Sequence, residues 1–493
     1  MLGDIKKLGQ DSLVYGLSTV VARLLNFLLL PFYTHYLLPG EYGIVAILFT
    51  YIAFSNIFFQ YGMDQAYLRF AAGKGETKAD SYFMTAQATL ALTAVFFALP
   101  LYLFAAPIGE LAAVGPDGAT LIRYGAGILA LDALTIVPFA DLRLRRRTWA
   151  FAGIKVFNIS VNVIMNILLL GHFHLGVRGV FIAALLAASS SVVLLAPVAA
   201  MRLTGGRPSA KLLSDLLKFG LPFVPAGLGA MMVQVIDRPI LQRMTDDATV
   251  GIYQANYRLG IFMMLLVTMF DQAWRPFFLE HADDKGAKEM FGRVLTYFLT
   301  ASVAVVAFLS LFIEDIVRIP LGKATLIHPA YWEGLPVVPV VLSAYIFHGA
   351  YINFIASITL SKRTDLLIWA TMIGAGVNIA ANFALIPSLG MMGAAWATFF
   401  SYAAMALCLY LMGRRVYPIP YEIGRIGHLF AAATATAGAA MAASGAYAHA
   451  GGLRYIFAKG AVFGLLPILL LGTGFFTAQE RRAAGAFFKR INR

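Results

Sequence analysis

The chain has 493 residues, of which 60% are hydrophobic and 13% are charged, and its formal net charge is +13. Soluble domains usually carry about 25% charged residues, so this composition indicates a chain that lies within a bilayer. It excludes a nucleic-acid reader, because such a protein needs a soluble basic face. The single cysteine, Cys408, excludes an intramolecular disulfide.

Fourteen apolar stretches are each long enough to cross about 30 Å of hydrocarbon, which takes roughly 20 helical residues. In chain order we predict spans at 12–38, 42–66, 81–105, 119–141, 148–170, 177–201, 216–244, 250–278, 291–317, 335–360, 365–386, 391–413, 426–448 and 455–477. The sequence therefore predicts an all-α polytopic membrane protein with about 14 transmembrane helices.

Lysine and arginine are unevenly distributed among the connecting segments. If the N-terminus is cytoplasmic, 26 of the 38 lysines and arginines lie in cytoplasmic segments. Because cationic loops stay in the cytoplasm, we expect a multi-pass protein of the cytoplasmic (inner) membrane with both termini cytoplasmic. The basic surface would favour anionic lipid headgroups, so the net charge needs no nucleic acid to explain it.

Residues 11–205 and 215–415 resemble each other weakly and in the same order. The matches are Val161, Asn162 and Asn166 with Val377, Asn378 and Asn382, and Asp64-Gln65-Ala66-Tyr67 with Asp271-Gln272-Ala273-Trp274. We expect two parallel six-helix repeats related by an axis along the membrane normal, an arrangement typical of transporters. They would form an N-lobe over 1–205 and a C-lobe over 206–417, followed by two helices and a basic tail over 418–493.

Two sets of motif residues carry a family resemblance. They are Leu37-Leu38-Pro39-Gly40-Glu41-Tyr42-Gly43 with Tyr61-Gly62-Met63 and Arg69, and Asp237-Arg238 with Gly251-Ile252-Tyr253 and Tyr257-Arg258. With these residues the chain resembles the polysaccharide transporter family over essentially its whole length. That family belongs to the superfamily of multidrug and toxic compound extrusion exporters, lipid II flippases and O-antigen repeat-unit flippases.

The resemblance implies a non-enzymatic flippase with two lobes around a central cavity. Its cargo would be an undecaprenyl-pyrophosphate-linked oligosaccharide, moved from the inner to the outer leaflet by alternating access for cell-surface polysaccharide synthesis. We expect no cofactor, and coupling to H⁺, Na⁺ or the membrane potential. The partners would be the polyprenyl-linked glycan, the bilayer and assembly proteins such as a polysaccharide polymerase. A cation-coupled multidrug-type exporter and a membrane enzyme or subunit of the assembly pathway stay open as alternatives.

Two arginines inside the predicted spans are candidates for binding the pyrophosphate. An arginine at the bilayer centre costs roughly 2.5 to 3.5 kcal/mol on insertion scales, so it should face a cavity or a partner. Arg23 lies roughly 17 Å into the first span, and Arg258 lies about 12 Å from the outer end of the eighth span. The planar guanidinium group grips anionic oxygens bidentately. The alternative is that an aspartate across a helix interface neutralises each arginine.

Other charges inside the spans could couple an ion or form a gate. Asp237 and Arg238 are adjacent and point to different faces of their helix, so we expect each to find another partner. Asp237 would then be a cation or proton site, or half of an ion pair between the lobes or at a periplasmic gate. Asp132, central in the fourth span, either pairs with Lys155 of the fifth span or couples an ion.

The duplicated segments at the cytoplasmic ends of the second and eighth spans contain Asp64 and Asp271. These carboxylates either close an inner gate through Arg69 and Arg275 or form a helix cap or an ion pair within each lobe.

Asparagine residues share one face of the fifth span, at Asn158, Asn162 and Asn166. We expect their amides to join neighbouring helices rather than to bind sugar. His172 and His174 lack a third ligand nearby, so the sequence predicts no metal site.

Overall fold

The computed structural model describes residues 20–21, 23–322, 324–449, 453–477, 480 and 482. Within this part the chain is almost entirely helical, apart from a small antiparallel pair of strands, β1 Pro320–Leu321 and β2 Ala324–Thr325.

The helices follow one another with short connections. They are α1 Leu29–Tyr36, α2 Pro39–Gln60, α3 Met63–Ala71, α4 Glu76–Leu103, α5 Ala105–Leu111, α6 Gly118–Leu144, α7 Thr148–Asn166, α8 Gly176–Leu203, α9 Ala210–Gly220, α10 Phe223–Val235, α11 Asp237–Met244, α12 Asp247–Arg258, α13 Ile261–Glu280, α14 Ala287–Val317, α15 Val337–Leu360, α16 Asp365–Leu389, α17 Met391–Val416, α18 Ile423–His449 and α19 Leu453–Gly472. A π-helical segment, Ile167–His172, continues α7, and a 3₁₀ turn, Pro329–Gly334, precedes α15.

The membrane-spanning segments agree with the predicted ones. Among the described residues, 12 helices are long and apolar enough to cross a membrane, and α12 with α13 adds a 13th as one broken span. Each coincides with a predicted span. The remaining prediction, 12–38, falls partly outside the described residues. The predicted fold class, an all-α polytopic membrane protein, is confirmed.

The chain divides into two compact units. The first comprises Met1–Ile261, Ile327–Val337 and Thr371–Ser401, and the second comprises Phe262–Leu326, Val338–Ala370 and Tyr402–Arg493. A hydrophobic core of the first unit lies where α3, α4 and α6 meet, and it includes the fully buried Tyr67, Phe83, Leu90 and Ala133. A smaller core in the second unit joins Ile358, Ala370 and Leu409. The expected lobe boundaries at 205 and 417 stay a prediction.

The second predicted span is interrupted at a motif position. Tyr61 and Gly62 have positive φ angles of 31° and 70°, which end α2 and start α3. A Cβ on Gly62 would lie 2.5 Å from the carbonyl oxygen of Gly220. Glycine adopts this left-handed conformation without steric cost and leaves room for the neighbouring backbone. The Tyr61-Gly62 motif is therefore explained by a tight turn at a helix crossing.

The seventh and eighth predicted spans are also broken. Ile236 separates α10 from α11, and the helix ends again after Arg258, before α13. Irregular backbone at membrane depth is tolerated only where it is buried in protein or lines a cavity. The two breaks place Asp237 at the first position of α11 and Arg258 at the last position of α12, both in the first unit.

Candidate functional site

The two sets of motif residues meet where the first turns of α2 and α12 cross. A Cβ on Gly43 would lie 1.8 Å from the carbonyl oxygen of Asp247, and one on Gly251 would lie 1.9 Å from the carbonyl oxygen of Pro39. Only residues without a side chain allow two helix backbones to approach this closely. The motif glycines therefore bring α2 and α12 together. The candidate site residues Asp237, Arg238 and Arg258 belong to the same unit.

Asp237 and Arg238 form an ion pair that is almost fully buried, with 2% and 4% of each residue exposed. The Arg238 Nη1 donates to Asp237 Oδ1 at 2.6 Å. The expectation that these adjacent residues would avoid each other is wrong, because the long arginine side chain folds back to the carboxylate. The Arg238 backbone N–H also donates to Asp237 Oδ1, at 2.9 Å, and the Tyr253 hydroxyl donates to Oδ2 at 2.6 Å.

Arg238 also donates hydrogen bonds to two other groups. Its Nε donates to Gln254 Oε1 at 3.1 Å, and its Nη1 donates to the Gln234 carbonyl at 2.5 Å. The guanidinium lies 4.3 Å from the ring centroid of Tyr257. A buried pair is tolerated when such hydrogen bonds satisfy both charges. These contacts are those of a structural ion pair, and an ion-coupling role for Asp237 stays a prediction.

Arg258 has a different environment, although it lies in the same unit. Its guanidinium carbon is 5.6 Å from the ring centroid of Tyr33 and 5.7 Å from that of Tyr42. Its Nη1 is buried and makes no hydrogen bond with any described residue. Aromatic faces attract a cation but do not accept the five N–H bonds of a guanidinium as a carboxylate would. Arg258 is therefore a half-buried cation whose buried Nη1 is an unused donor.

Hydrogen bonds hold Tyr33, which contacts Arg258, and Tyr331, which contacts Tyr42. The Tyr33 hydroxyl donates to Asn166 Oδ1 at 3.1 Å, and the Tyr331 hydroxyl donates to the Leu37 carbonyl at 2.9 Å. Tyr42 lies between them, with ring centroids 5.5 Å from Tyr33 and 6.1 Å from Tyr331.

Tyr42 is 0% exposed, and its hydroxyl finds no hydrogen-bond partner in the part of the chain described. Leaving a buried hydroxyl unpaired costs about 1–3 kcal/mol. Unpaired buried groups therefore call for an explanation such as a bound water or ion. The Arg258 Nη1 and the Tyr42 hydroxyl are donors suited to the oxygens of an anion, and we name Tyr33, Tyr42, Tyr331 and Arg258 the tyrosine–arginine site.

A family model described as polysaccharide biosynthesis protein matches residues 8–281, which is more than half of the chain. The chain belongs to this family. No curated protein matches it.

Solved structures show the same fold in flippases and transporters. The lipid II flippase MurJ in an inward closed conformation has a TM-score of 0.71 at 14% identity, over 94% of this chain and 99% of that chain. An inward-facing multidrug resistance MATE family transporter has a TM-score of 0.65 at 14% identity, over 80% and 94% of the two chains. A MATE protein in the straight conformation has a TM-score of 0.56 at 15% identity, over 83% and 95%. The polysaccharide biosynthesis protein thus has the fold of multi-pass membrane transporters and flippases.

The other predicted binding and coupling residues lie outside the tyrosine–arginine site. Arg23 is helical and half-buried, and its role in gripping a pyrophosphate together with Arg258 stays a prediction. Asp132 is half-buried on α6. The Lys155 ammonium lies 4.3 Å from the ring centroid of Phe139. Pairing between Asp132 and Lys155, or ion coupling by Asp132, also stays a prediction.

The duplicated carboxylates form local contacts. Asp64 pairs with Arg143 at 3.3 Å and accepts a hydrogen bond from Gln65 at 2.7 Å. Asp271 pairs with Arg275, one helical turn away on α13, at 2.7 Å. These are ion pairs within each predicted lobe, which was one of the two alternatives. A gating role for Asp64, Asp271 and Arg275 stays a prediction.

The asparagine prediction is confirmed for Asn158. Its amide donates to the Ala187 carbonyl at 2.6 Å and to Ser191 Oγ at 2.9 Å, which joins α7 to α8. Sequence reasoning missed Tyr331 and assigned no role to Tyr42. Tyr42 lies inside the first motif, so the motif itself contained a signal, whereas Tyr331 lies in a connection far along the chain and carried none.

Proposed function

We propose that the protein is a flippase that moves an undecaprenyl-pyrophosphate-linked oligosaccharide repeat unit from the inner to the outer leaflet of the cytoplasmic membrane, for cell-surface polysaccharide synthesis. The observation that carries the proposal is the buried Arg258 Nη1, which no described residue satisfies. Membership of a polysaccharide biosynthesis family and a fold similar to that of a lipid II flippase support a lipid-linked glycan as the cargo.

The chemistry of the cargo fits an arginine held by aromatic rings. A pyrophosphate offers several anionic oxygens, and a guanidinium binds them through parallel charge-assisted hydrogen bonds while staying charged in a low dielectric. A carboxylate partner would compete with the pyrophosphate for the same donors, as Asp237 occupies Arg238. The faces of Tyr33 and Tyr42 hold Arg258 without such competition.

Alternating access provides the path of the headgroup. With the N-terminus cytoplasmic, α2 and α12 both begin at the outer surface, so the crossing at Gly43 and Gly251 acts as an outer gate in this proposal. Separation of these helices exposes the tyrosine–arginine site to the outer leaflet, where the headgroup leaves. Asp237 and Asp132 are the carboxylates to test for coupling to H⁺, Na⁺ or the membrane potential.

The proposal is tested by measuring flipping of a lipid-linked oligosaccharide in proteoliposomes. Replacing Arg258 with glutamine removes a charged hydrogen bond worth about 1.5–3 kcal/mol, so we expect transport to fall about 10- to 100-fold. Arg363→Gln is the matched control, because Arg363 is exposed and pairs only with the neighbouring Asp365 among described carboxylates. Equal transport by Arg258→Gln and the control, at equal folded fraction, would refute the role of Arg258.

The same proteoliposomes separate the proposal from a multidrug-type exporter. A small organic cation that is transported along an imposed ion gradient, with no flipping of the lipid-linked oligosaccharide, would establish the exporter instead. Flipping without transport of the small cation supports the flippase.

A further inference from the structure

A cavity of about 310 Å³ lies within the first unit, between α2, α4, α5 and α6. Its walls are mainly aliphatic, and they include Leu48, Ile52, Ile108, Leu121, Ala126 and Leu129. This volume falls at the lower end of the range for pockets that hold small ligands, which is about 300–1,000 Å³. The cavity is separate from the tyrosine–arginine site, whose residues do not line it.

The cavity has one charged residue among those lining it, Arg243 of α11. Arg243 is exposed, and its Nη2 donates to the Leu111 carbonyl at 3.1 Å. Because a guanidinium carries five N–H donors, this single bond leaves others for a ligand. In the predicted orientation α11 ends at the outer surface, so the cation lies at the level of the outer headgroups.

The wall of the cavity continues onto the lipid-facing surface. Leu111 lines the cavity and is also 72% exposed. The neighbouring Leu103 and Phe104, at the junction of α4 and α5, are 64% and 61% exposed. An apolar path therefore leads from the bilayer into the cavity, with Arg243 beside its outer end.

We propose that the cavity binds one hydrocarbon chain of an outer-leaflet phospholipid whose phosphate pairs with Arg243. Apolar walls do not hold water, and an unfilled void loses the dispersion contacts of its lining atoms, so hydrocarbon is the fitting content. The phosphate supplies the anionic oxygens that a guanidinium binds bidentately. The apolar interior and the cation at its outer end match the two parts of a phospholipid, and this binding does not depend on the proposed transport function.

Photochemical labelling in vesicles tests the assignment. The intact protein is reconstituted into phosphatidylcholine vesicles that contain a phosphatidylglycerol with a photoactivatable group on one acyl chain, and labelled peptides are mapped by mass spectrometry. We expect labelling concentrated on residues 48–55 of α2 and 121–129 of α6. Equal labelling of all lipid-facing helices would overturn the proposal.

Variants then separate the contributions of the cavity and the cation. Ala126→Phe fills the cavity and should abolish the concentrated labelling, while Arg243→Gln should reduce it about tenfold, equivalent to about 1.4 kcal/mol of binding free energy. Arg243 is exposed, so its variant remains informative if Ala126→Phe fails to fold. Arg123→Gln is the control, because Arg123 is exposed on α6 and does not line the cavity. Retained labelling in Arg243→Gln would overturn the phosphate contact.

Competition distinguishes a phospholipid from the tail of a polyprenyl lipid. Unlabelled phosphatidylglycerol should suppress the concentrated labelling at lower concentration than an unlabelled polyprenyl phosphate. The opposite order would overturn the phospholipid assignment and identify a polyprenyl chain as the occupant.

Discussion

Replacing Asp237 with asparagine tests whether this carboxylate stabilises the fold or couples an ion to transport. The carboxylate accepts hydrogen bonds from Arg238 Nη1 and from the Tyr253 hydroxyl, each at 2.6 Å. Asparagine preserves the size of the side chain but removes its charge. The Arg238 guanidinium, with 5% of its side chain exposed, would then lie buried without a counter-ion.

The expected magnitude follows from that unpaired charge. Removing one partner of a buried ion pair costs about 3–5 kcal/mol, because the other charge stays desolvated. Losing the single hydrogen bond in Tyr253→Phe should cost only about 1 kcal/mol. Replacing both charges, in Asp237→Leu with Arg238→Met, should recover much of the stability, since an apolar pair of similar volume is often neutral or stabilising. The recovery should be incomplete because Gln254 and the Gln234 carbonyl lose the donors of Arg238.

The assay measures, for each variant in detergent, the temperature at which half of the protein no longer elutes as a folded species. We expect Asp237→Asn to have the lowest value, with the double variant and Tyr253→Phe closer to the unmodified protein. Flipping of the lipid-linked oligosaccharide is measured in parallel across pH, at equal amounts of folded protein.

Two results would refute the reasoning. If Asp237→Asn matches the unmodified protein in stability but flips slowly with an altered pH dependence, Asp237 couples an ion. If the double variant is no more stable than Asp237→Asn, the unpaired guanidinium is not the source of the loss.

Three further predictions concern helix packing and an exposed ion pair. Gly251→Ala places a Cβ only 1.9 Å from the Pro39 carbonyl oxygen, so α2 and α12 must move apart. With Cys408 replaced by serine, a cysteine introduced by Val250→Cys should then become reactive to a water-soluble thiol reagent. An unreactive cysteine at this position would contradict the prediction. Asn158→Ala removes the bonds to α8 and should lower stability by about 1 kcal/mol without slowing transport, as measured by thermal unfolding and flipping. Before α6, the hydrogen bond from Arg178 holds the pKa of the Asp117 carboxyl below its usual range. The small stabilisation from this exposed pair should be present above the unfolded-state pKa of Asp117 and lost as pH falls through the lower folded-state value. Replacing Arg178 with alanine should raise the Asp117 pKa in an NMR titration, and an unchanged pKa would contradict the contact.

The spans could be predicted from sequence because bilayer thickness requires an uninterrupted apolar run of about 20 residues. The start of α2 at Pro39 and the close of α17 at Val416 lie within a few residues of the predicted bounds. The interruption at Tyr61-Gly62 is marked in the sequence by Gly62, because its left-handed backbone conformation favours glycine.

The partners of the charged side chains could not be predicted in the same way. The fold-back of Arg238 onto Asp237 depends on a side-chain conformation fixed by Gln234, Gln254 and Tyr257. The approach of Tyr331 to Tyr42 depends on the path of a connection almost 300 residues later in the chain. Apolar periodicity describes which residues enter the membrane, whereas these contacts depend on side-chain conformation and on three-dimensional packing that a single sequence does not display.

In the proposed function, the contrast between Arg238 and Arg258 accounts for how Arg258 would both bind and release an anion. Burying an arginine costs roughly 2.5 to 3.5 kcal/mol on insertion scales, and each aromatic face returns about 0.5 to 2 kcal/mol. Two tyrosine faces thus offset part of the cost for Arg258 without supplying a counter-charge. In the proposed function, a pyrophosphate would gain the attraction that Asp237 already satisfies at Arg238. When the proposed outer gate at Gly43 and Gly251 opens, water hydrates the Arg258 guanidinium and raises the local dielectric constant. The same Coulomb attraction then weakens several-fold, and the cargo leaves on the side where the gate has opened.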